Sequence, residues 1–147
     1  MPYDRLLKSN RIKPHRPDQN EITQLLQLAK RDLNTSRRNL DDAPDWAYSI
    51  AYNSILQAGR ALMFFTGYRP RGGEQHATVV EFVEERLGST FEGQVKLFDQ
   101  MRRKRHRVIY EASGLVSRKE AEQAIEFAEK FVAQITEMIT GQSRLGI

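Results

Sequence analysis

The 147-residue chain contains no cysteine. This excludes disulfide bonds, thiolate metal sites and cysteine nucleophiles, and it fits a reducing cytosol. Long apolar runs are lacking too. The opening residues MPYDRLLKSN contain no apolar signal-peptide core, and no later run is long enough to cross a bilayer. We therefore expect a cytoplasmic protein that does not associate with membranes.

Histidine is scarce, and its spacing does not suit a metal site. His15, His76 and His106 lie far apart in the sequence. None of them has a second histidine or a carboxylate at the spacing of a helical zinc motif. We therefore expect no metal ion and no cofactor.

Residues 67–73 form a glycine-containing loop that resembles a phosphate-binding loop only superficially. The loop lacks the Lys-Ser/Thr pair of that motif, and no strand is predicted before it. We interpret it as a tight basic turn between two helices. Arg69 and Arg71 remain candidate phosphate contacts, because arginine is a bidentate donor.

The alternating pattern of β-strands is also missing, whereas helical periodicity extends through most of the chain. Helices are predicted at residues 19–38, 44–66, 75–87, 91–110 and 117–140. The second is apolar over most of its circumference, from Trp46 to Phe65, which is typical of a helix at the centre of a bundle. The fold class predicted is all-α, an up-and-down bundle of four or five helices with short connections.

The predicted domain organisation is simple. Residues 18–141 form a single helical domain, and residues 142–147 form a short C-terminal tail. Residues 1–17 are expected to be a basic flexible tail, because prolines interrupt regular structure there. The first sixteen residues contain one acid and five basic residues: Arg5, Lys8, Arg11, Lys13 and Arg16.

The second basic centre is the stretch MRRKRHRVIY, residues 101–110, in a chain whose net charge is only +4. Such patches favour an anionic partner. On a helix, Arg102, His106 and Tyr110 lie along one ridge, and Arg105 continues the apolar stripe of Phe98. Buried, unpaired arginines are costly, so this face should open onto water, an acidic partner or a cleft between subunits.

A solvated, arginine-rich helix end is the alternative interpretation, because the helix dipole favours cations there. Periodicity alone does not decide between a functional face and a solvated one. The remaining basic residues of the stretch are expected to be solvated: Arg103, Lys104 and Arg107.

The order of these features resembles the HEPN domain superfamily over residues 19–140. The segments that carry the resemblance are LLQLAKRDLNTSRRNL, AYSIAYNSILQAGRALMFFTGYRPRGGEQHATVVEFV and RRKRHRVIYEASG. The resemblance implies a small prokaryotic α-helical bundle that forms a homodimer. It also implies a possible protein partner, because such proteins are often encoded beside a minimal nucleotidyltransferase.

Many HEPN proteins are metal-independent ribonucleases whose signature is R-x4–6-H, with a polar residue after the arginine. Carried over by resemblance, Arg105 takes the arginine position, His106 the polar position and Tyr110 the histidine position. A phenol has an ordinary pKa of about 10, so tyrosine is a poor general base at pH 7. His106 is a possible substitute, but its spacing from Arg102 is one residue short of the signature.

We therefore expect a non-catalytic or weakly active HEPN-domain protein. It would bind RNA, a nucleotide or another phosphate ligand through a basic cleft at a homodimer interface. The candidate binding residues are Arg69, Arg71, Arg102, Arg105, His106 and Tyr110.

Two alternatives stay open. One is a metal-independent ribonuclease, the toxin of a toxin–antitoxin pair, in which Arg105, His106 and Tyr110 would act. The other is an interaction subunit whose basic face docks a nucleotidyltransferase-like protein.

Overall fold

A computed structural model describes residues 2–110 and 114–144, with side chains described as far as residue 141. Within these residues the α-helices are α1 (Asp4–Lys8), α2 (Gln19–Arg38), α3 (Pro44–Thr66), α4 (Gln75–Leu87), α5 (Glu92–Tyr110) and α6 (Arg118–Arg144). Two short strands, β1 (Ile12–Pro14) and β2 (Tyr68–Pro70), and one 3₁₀ turn at Ser89–Phe91 complete the elements. The all-α helical bundle predicted from the sequence is confirmed.

Helix α3 is the centre of the bundle and contacts α2, α4, α5 and α6. Gly59 allows α4 to pack closely against it. A Cβ atom at this position would lie 2.8 Å from Val79 Cγ1 and 3.3 Å from Val83 Cγ2. The helix ends at the predicted place, because Gly67 adopts a left-handed conformation with φ of 104°.

Trp46 corrects one expectation for α3. It is 61% exposed, whereas its neighbour Ala47 is fully buried. Residues seven apart share a face of a helix, and Asn53 and Arg60 on the same face as Trp46 are only half-buried. The central helix therefore has one face that its neighbours do not fully cover.

The N-terminal segment differs from the predicted flexible tail. Strand β1 pairs antiparallel with β2, with Ile12 opposite Pro70. Leu6 and Ile12 are buried against Met63 and Phe82. Apolar side chains between the basic ones therefore anchor this segment to the bundle, since burying each of them removes apolar surface from water.

The charges of this segment have partners on α4. The Arg5 guanidinium lies 3.0 Å from Glu85 Oε1. Arg11 forms an ion pair with Glu81 and donates to Thr78 Oγ1 at 3.1 Å. Part of the positive charge that the sequence predicts for an anionic partner is therefore already paired within the chain.

Helix α6 closes the bundle. The Glu120 N–H donates to Ser117 Oγ at 3.1 Å, so the serine side chain caps the first turn of the helix. The helix extends to Arg144 and so enters the predicted tail at 142–147, of which residues 145–147 lie outside the described structure. The apolar side chains on one face of the helix are buried: Ala121, Ala124, Ile125, Ala128, Val132, Ile135 and Ile139.

Helix α5 changes character halfway along. Val95, Phe98 and Met101, which share one face of the helix, are buried. From Arg102 onwards each residue of the helix is half-buried or exposed, and Ile109 is 38% exposed. The second half of α5 therefore presents its side chains at the edge of the bundle.

In the described parts of the chain, no helix has both the length and the apolar character needed to cross a membrane.

Candidate functional site

The predicted site residues of α5 separate into two groups. Arg102 and Arg105 are half-buried on the side that faces the bundle, whereas His106 and Tyr110 are exposed. Helical geometry produces this separation, since residues one apart differ by about 100° around the axis. The basic run in the sequence is therefore not a single surface in the structure.

Arg105 lies over a buried aromatic ring. Its guanidinium carbon is 5.6 Å from the ring centroid of Tyr52, a cation–π distance. Its Nε atom is buried and has no hydrogen-bond partner among the described residues. No carboxylate within residues 2–110 and 114–141 forms an ion pair with it. Because burying an unpaired cation is unfavourable, Arg105 is a candidate ligand-binding group.

Tyr52 joins Arg105 to a histidine on α4. Its hydroxyl Oη lies 3.1 Å from His76 Nδ1, within hydrogen-bonding distance. Tyr52 is fully buried and its ring also packs against Phe98. The hydrogen bond therefore orients the imidazole against a tyrosine that core packing holds in place.

The electrostatic surroundings of this pair are cationic. Burial lowers the pKa of His76, and the positive charges of Arg105, Arg60 and Arg102 lower the pKa further. His76 is therefore neutral at pH 7. Burial also raises the pKa of the Tyr52 phenol, so its hydroxyl keeps its proton.

Arg60 of α3 is the third arginine of this group. It is half-buried, and burial lowers the pKa of its guanidinium. In the part of the chain that the structure describes, it has no carboxylate partner either. We name Tyr52, Arg60, His76, Arg102 and Arg105 the inner cluster. Three cations and a neutral imidazole at one place form an environment that favours an anion.

Arg102 differs from the other two arginines because it already forms an ion pair with a carboxylate. Asp99 Oδ1 lies 3.0 Å from Arg102 Nη2, and Asp99 Oδ2 lies 3.0 Å from Arg103 Nη2. An anion that uses Arg102 must compete with this carboxylate. Arg105 and Arg60 are therefore the stronger candidates for direct contact with a ligand.

An open groove of about 550 Å³ runs between α4 and α5 beside the inner cluster. Its walls include Arg102 and Asp99, which connect the groove to the cluster. Both signs of charge line it: Arg11, Lys96 and Arg103 against Glu74, Glu81 and Glu84. The groove gives an extended ligand room beyond the cluster.

His106 and Tyr110 form a separate, exposed pair, which we name the outer pair. Their ring centroids are 4.8 Å apart, and Tyr110 is 68% exposed. Because they lie one and two turns beyond Arg102, they continue the same edge of α5 past the groove. Exposed aromatic faces of this kind can stack on nucleobases.

Arg69 and Arg71 lie at the small sheet. Both are exposed, and Lys13 stands opposite Arg69 in the ladder. The backbone N–H of Arg71 donates to Arg11 O at 2.9 Å. Among the described residues no hydrogen bond or ion pair joins either arginine to the inner cluster.

Lys104, expected to be solvated, is half-buried instead and donates to Glu120 Oε2 of α6. Arg103 and Arg107 are exposed.

In the described residues, no three His, Asp or Glu side chains come together as metal ligands. The chemistry available at the site is that of guanidinium, imidazole and phenol groups.

Three members of the inner cluster were missed in the sequence: Tyr52, Arg60 and His76. A signal for Arg60 exists, because it is the one cationic residue in the sequence of the central helix. His76 and Tyr52 carry no comparable signal. They are 24 residues apart, and only the packing of α3 against α4 brings them together.

A comparison with protein families agrees with this fold. The HEPN domain family matches residues 22–138, which covers α2 to α6 almost completely. No curated protein matches the chain in a sequence search. The match includes every residue of the inner cluster and of the outer pair. Because it covers well over half of the 147 residues, the chain belongs to the HEPN domain family.

Proposed function

We propose that this HEPN-domain protein binds RNA or a nucleotide through a phosphate group held by the inner cluster. The observation that carries the proposal is that two half-buried arginines, Arg60 and Arg105, lack a carboxylate partner in the described structure. A phosphate oxygen would satisfy the buried Nε of Arg105, and a charge-assisted bond of this kind is strong.

The outer pair adds a second element to this proposal. A phosphate at Arg105 would leave the next nucleotides free to follow the edge of α5. Tyr110 lies five residues beyond Arg105, about 7.5 Å further along the helix axis and about 140° around it. RNA that contacts both residues must therefore pass around the exposed side of α5. Tyr110 and His106 would then stack on a base, which is a sequence-tolerant contact.

Single-stranded RNA binding tests the proposal directly. Fluorescence anisotropy of a labelled oligonucleotide should show binding that weakens as salt rises, because phosphate contacts release counterions. The double variant Arg102→Ala/Arg105→Ala should lose most of this binding and its salt dependence. Binding that is independent of salt, or unchanged in the double variant, would contradict the proposal.

The structure also bears on the homodimer expected from the family resemblance. The inner cluster is assembled from α3, α4 and α5 of one chain, so phosphate binding does not require a second copy. We still propose a homodimer. It is supported by the exposed side chains of Trp46 and Ile109, which border a largely apolar groove of about 470 Å³. Light scattering at micromolar concentration tests this, and a monomer there would contradict it.

A nucleotidyltransferase-like partner stays a prediction of the resemblance. The face that would dock an acidic partner is the exposed basic side of α5, with Arg103 and Arg107. Co-purification from the native host would test it. Recovery of a lone homodimer would count against such a partner.

A further inference from the structure

We propose that the ribbon formed by β1 and β2 is a second RNA contact, which binds the sugar–phosphate backbone of a strand that the inner cluster also holds. The inference rests on the proposed function, because it names a further surface for the same ligand. We name Lys13, Arg69 and Arg71 the ribbon face. Strand β1 precedes residue 22, where the match to the HEPN family begins, so the family match does not account for this surface.

The strand pairing places these three cations on one side of the ribbon. Lys13 lies directly opposite Arg69 in the antiparallel ladder. Arg71 is two residues beyond Arg69 and therefore shares its side, because side chains alternate along a strand. Ile12 points to the opposite side and is 1% exposed, whereas the three basic residues are exposed. Backbone hydrogen bonds of 2.9 Å continue the ladder on both sides of the pair of Lys13 and Arg69, so this pair is held in place.

The pair is electrostatically unfavourable in the free protein. Like charges directly opposite each other destabilise two antiparallel strands. Among the described residues, no carboxylate forms an ion pair with Lys13, Arg69 or Arg71. Two other cations of the N-terminal segment differ, since Arg5 and Arg11 pair with acids of α4. The ribbon face therefore keeps its positive charge where a polyanion can reach it.

The composition of the ribbon face favours a nucleic-acid backbone over an apolar partner. The large apolar side chains that are exposed in the described structure lie elsewhere, at Trp46, Leu97, Ile109 and Tyr110. A charged face without such side chains suits RNA phosphates, because their binding is mainly electrostatic and carries no base sequence information.

Arg11 connects the ribbon to the groove beside the inner cluster. Its backbone oxygen accepts from the Arg71 N–H, and its side chain lines the groove between α4 and α5 together with Arg102. Its ion pair with Glu81 makes Arg11 less available to a phosphate, so the ribbon face supplies the proposed contact. A strand that starts at the inner cluster can therefore continue over the groove to the ribbon, and we expect a single nucleotide to use the inner cluster alone.

The experiment compares two double variants of the full chain that remove the same charge. Lys13→Gln/Arg69→Gln changes the ribbon face. Lys119→Gln/Lys130→Gln is the control, because both lysines are exposed on α6 and have no carboxylate partner in the described structure. The probes are a labelled single-stranded RNA of about 20 nucleotides, longer than the site of a typical single domain, and adenosine 5′-monophosphate.

The ribbon variant should weaken binding of the RNA at least about fivefold and lower the slope of log Kd against log salt by about 1.4, the value for two lost phosphate contacts. Binding of the mononucleotide, measured by calorimetry, should stay within about twofold of wild type because no contact at the inner cluster is lost. The α6 variant should bind both probes like wild type. RNA affinity that is unchanged in the ribbon variant, or reduced equally in the α6 variant, would overturn the inference.

Thermal unfolding gives a readout of the opposite sign. Removal of the like-charge pair should raise the unfolding midpoint by about 1–2 °C, so the loss of RNA affinity cannot come from a loss of fold. A lower midpoint would mean that the pair supports the fold instead, which would also overturn the inference.

Arg105→Met separates this inference from the proposed function. Loss of RNA binding in Arg105→Met but not in the ribbon variant would overturn the ribbon contact and leave the inner cluster. Loss in the ribbon variant but not in Arg105→Met would contradict the proposed function and leave the ribbon contact. Binding to phosphatidylserine vesicles that is lost in the ribbon variant, with RNA affinity unchanged, would assign the ribbon face to a membrane surface and overturn the RNA contact.

Discussion

Two tyrosine–histidine pairs lie close to the arginines of α5, and their surroundings differ sharply. In the inner cluster, Tyr52 is fully buried and its hydroxyl bonds to His76 at 3.1 Å. In the outer pair, the rings of His106 and Tyr110 contact each other, and Tyr110 is 68% exposed. The same two residue types therefore form a rigid site at one place and a solvated surface at the other.

The difference shows which features distinguish a candidate ligand-binding arginine from a solvated one. Charge alone is not sufficient, because Arg103 carries the same guanidinium group as Arg105 yet is exposed and paired with Asp99. Burial lowers the local dielectric, so an unpaired cation there attracts an anion more strongly than one in water. Arg105 has this environment because its side chain lies over the ring of a core tyrosine.

The largest expected effect is a difference in folding stability between alanine variants of the two tyrosines. Tyr52→Ala should reduce the free energy of unfolding by about 3–5 kcal/mol, as for other large buried aromatic side chains. Tyr110→Ala should change it by no more than about 0.5 kcal/mol, since exposed positions contribute little. Urea unfolding followed by circular dichroism measures both. Equal losses in the two variants would remove the distinction between the pairs.

The next largest effect is a difference in RNA affinity between methionine variants of two arginines. Arg105→Met keeps much of the aliphatic length but removes the charge, and it should weaken binding to single-stranded RNA at least about tenfold, as expected for a lost charge-assisted bond. Arg103→Met should weaken binding by only about twofold, because that guanidinium is solvated. Anisotropy titrations at two salt concentrations measure both. A larger loss for Arg103 would place the phosphate on the exposed face instead.

The sequence predicted the fold well because its signals are local. The bounds of α2, α3 and α4 are those expected, since periodicity, an aspartate cap at Asp18 and the glycine at Gly67 each act within a few residues. The N-terminal segment was less predictable. Its few apolar residues, such as Leu6, become informative only when the surface that covers them is known.

The candidate site was predicted only in part, for a related reason. Arg102 and Arg105 interrupt an apolar stripe, so their unusual position is visible in the sequence. His106 and Tyr110 could be placed on one ridge from the sequence, because they are four residues apart on one helix. His76 reaches Tyr52 across two helices and 24 residues, and no local pattern encodes such a contact.

A smaller effect concerns the outer pair. Tyr110→Ala should weaken RNA binding by about 1 kcal/mol, or about fivefold, through loss of a base-stacking surface. The salt dependence of binding should stay as in wild type, because no phosphate contact is lost. Tyr110→Phe is the control, since it keeps the ring and should bind like wild type. A reduced salt dependence in Tyr110→Ala would mean that the outer pair also orders a phosphate contact.

The smallest effect is a pH dependence of stability that arises from His76. The groups that face it are Tyr52 and the cations Arg60, Arg102 and Arg105, with Asp99 close to the same tyrosine. Because burial and the arginines lower the pKa of folded His76, the unfolded chain, with an ordinary pKa of about 6.5, binds its proton first as pH falls. The folded state should therefore lose stability as pH drops through about 6.5, and the loss should end below the folded pKa. Urea midpoints at pH 7.5 and 5.5 measure this. The drop should shrink in His76→Gln and persist in His106→Gln, and the reverse result would mean that the cationic surroundings lie around the outer histidine.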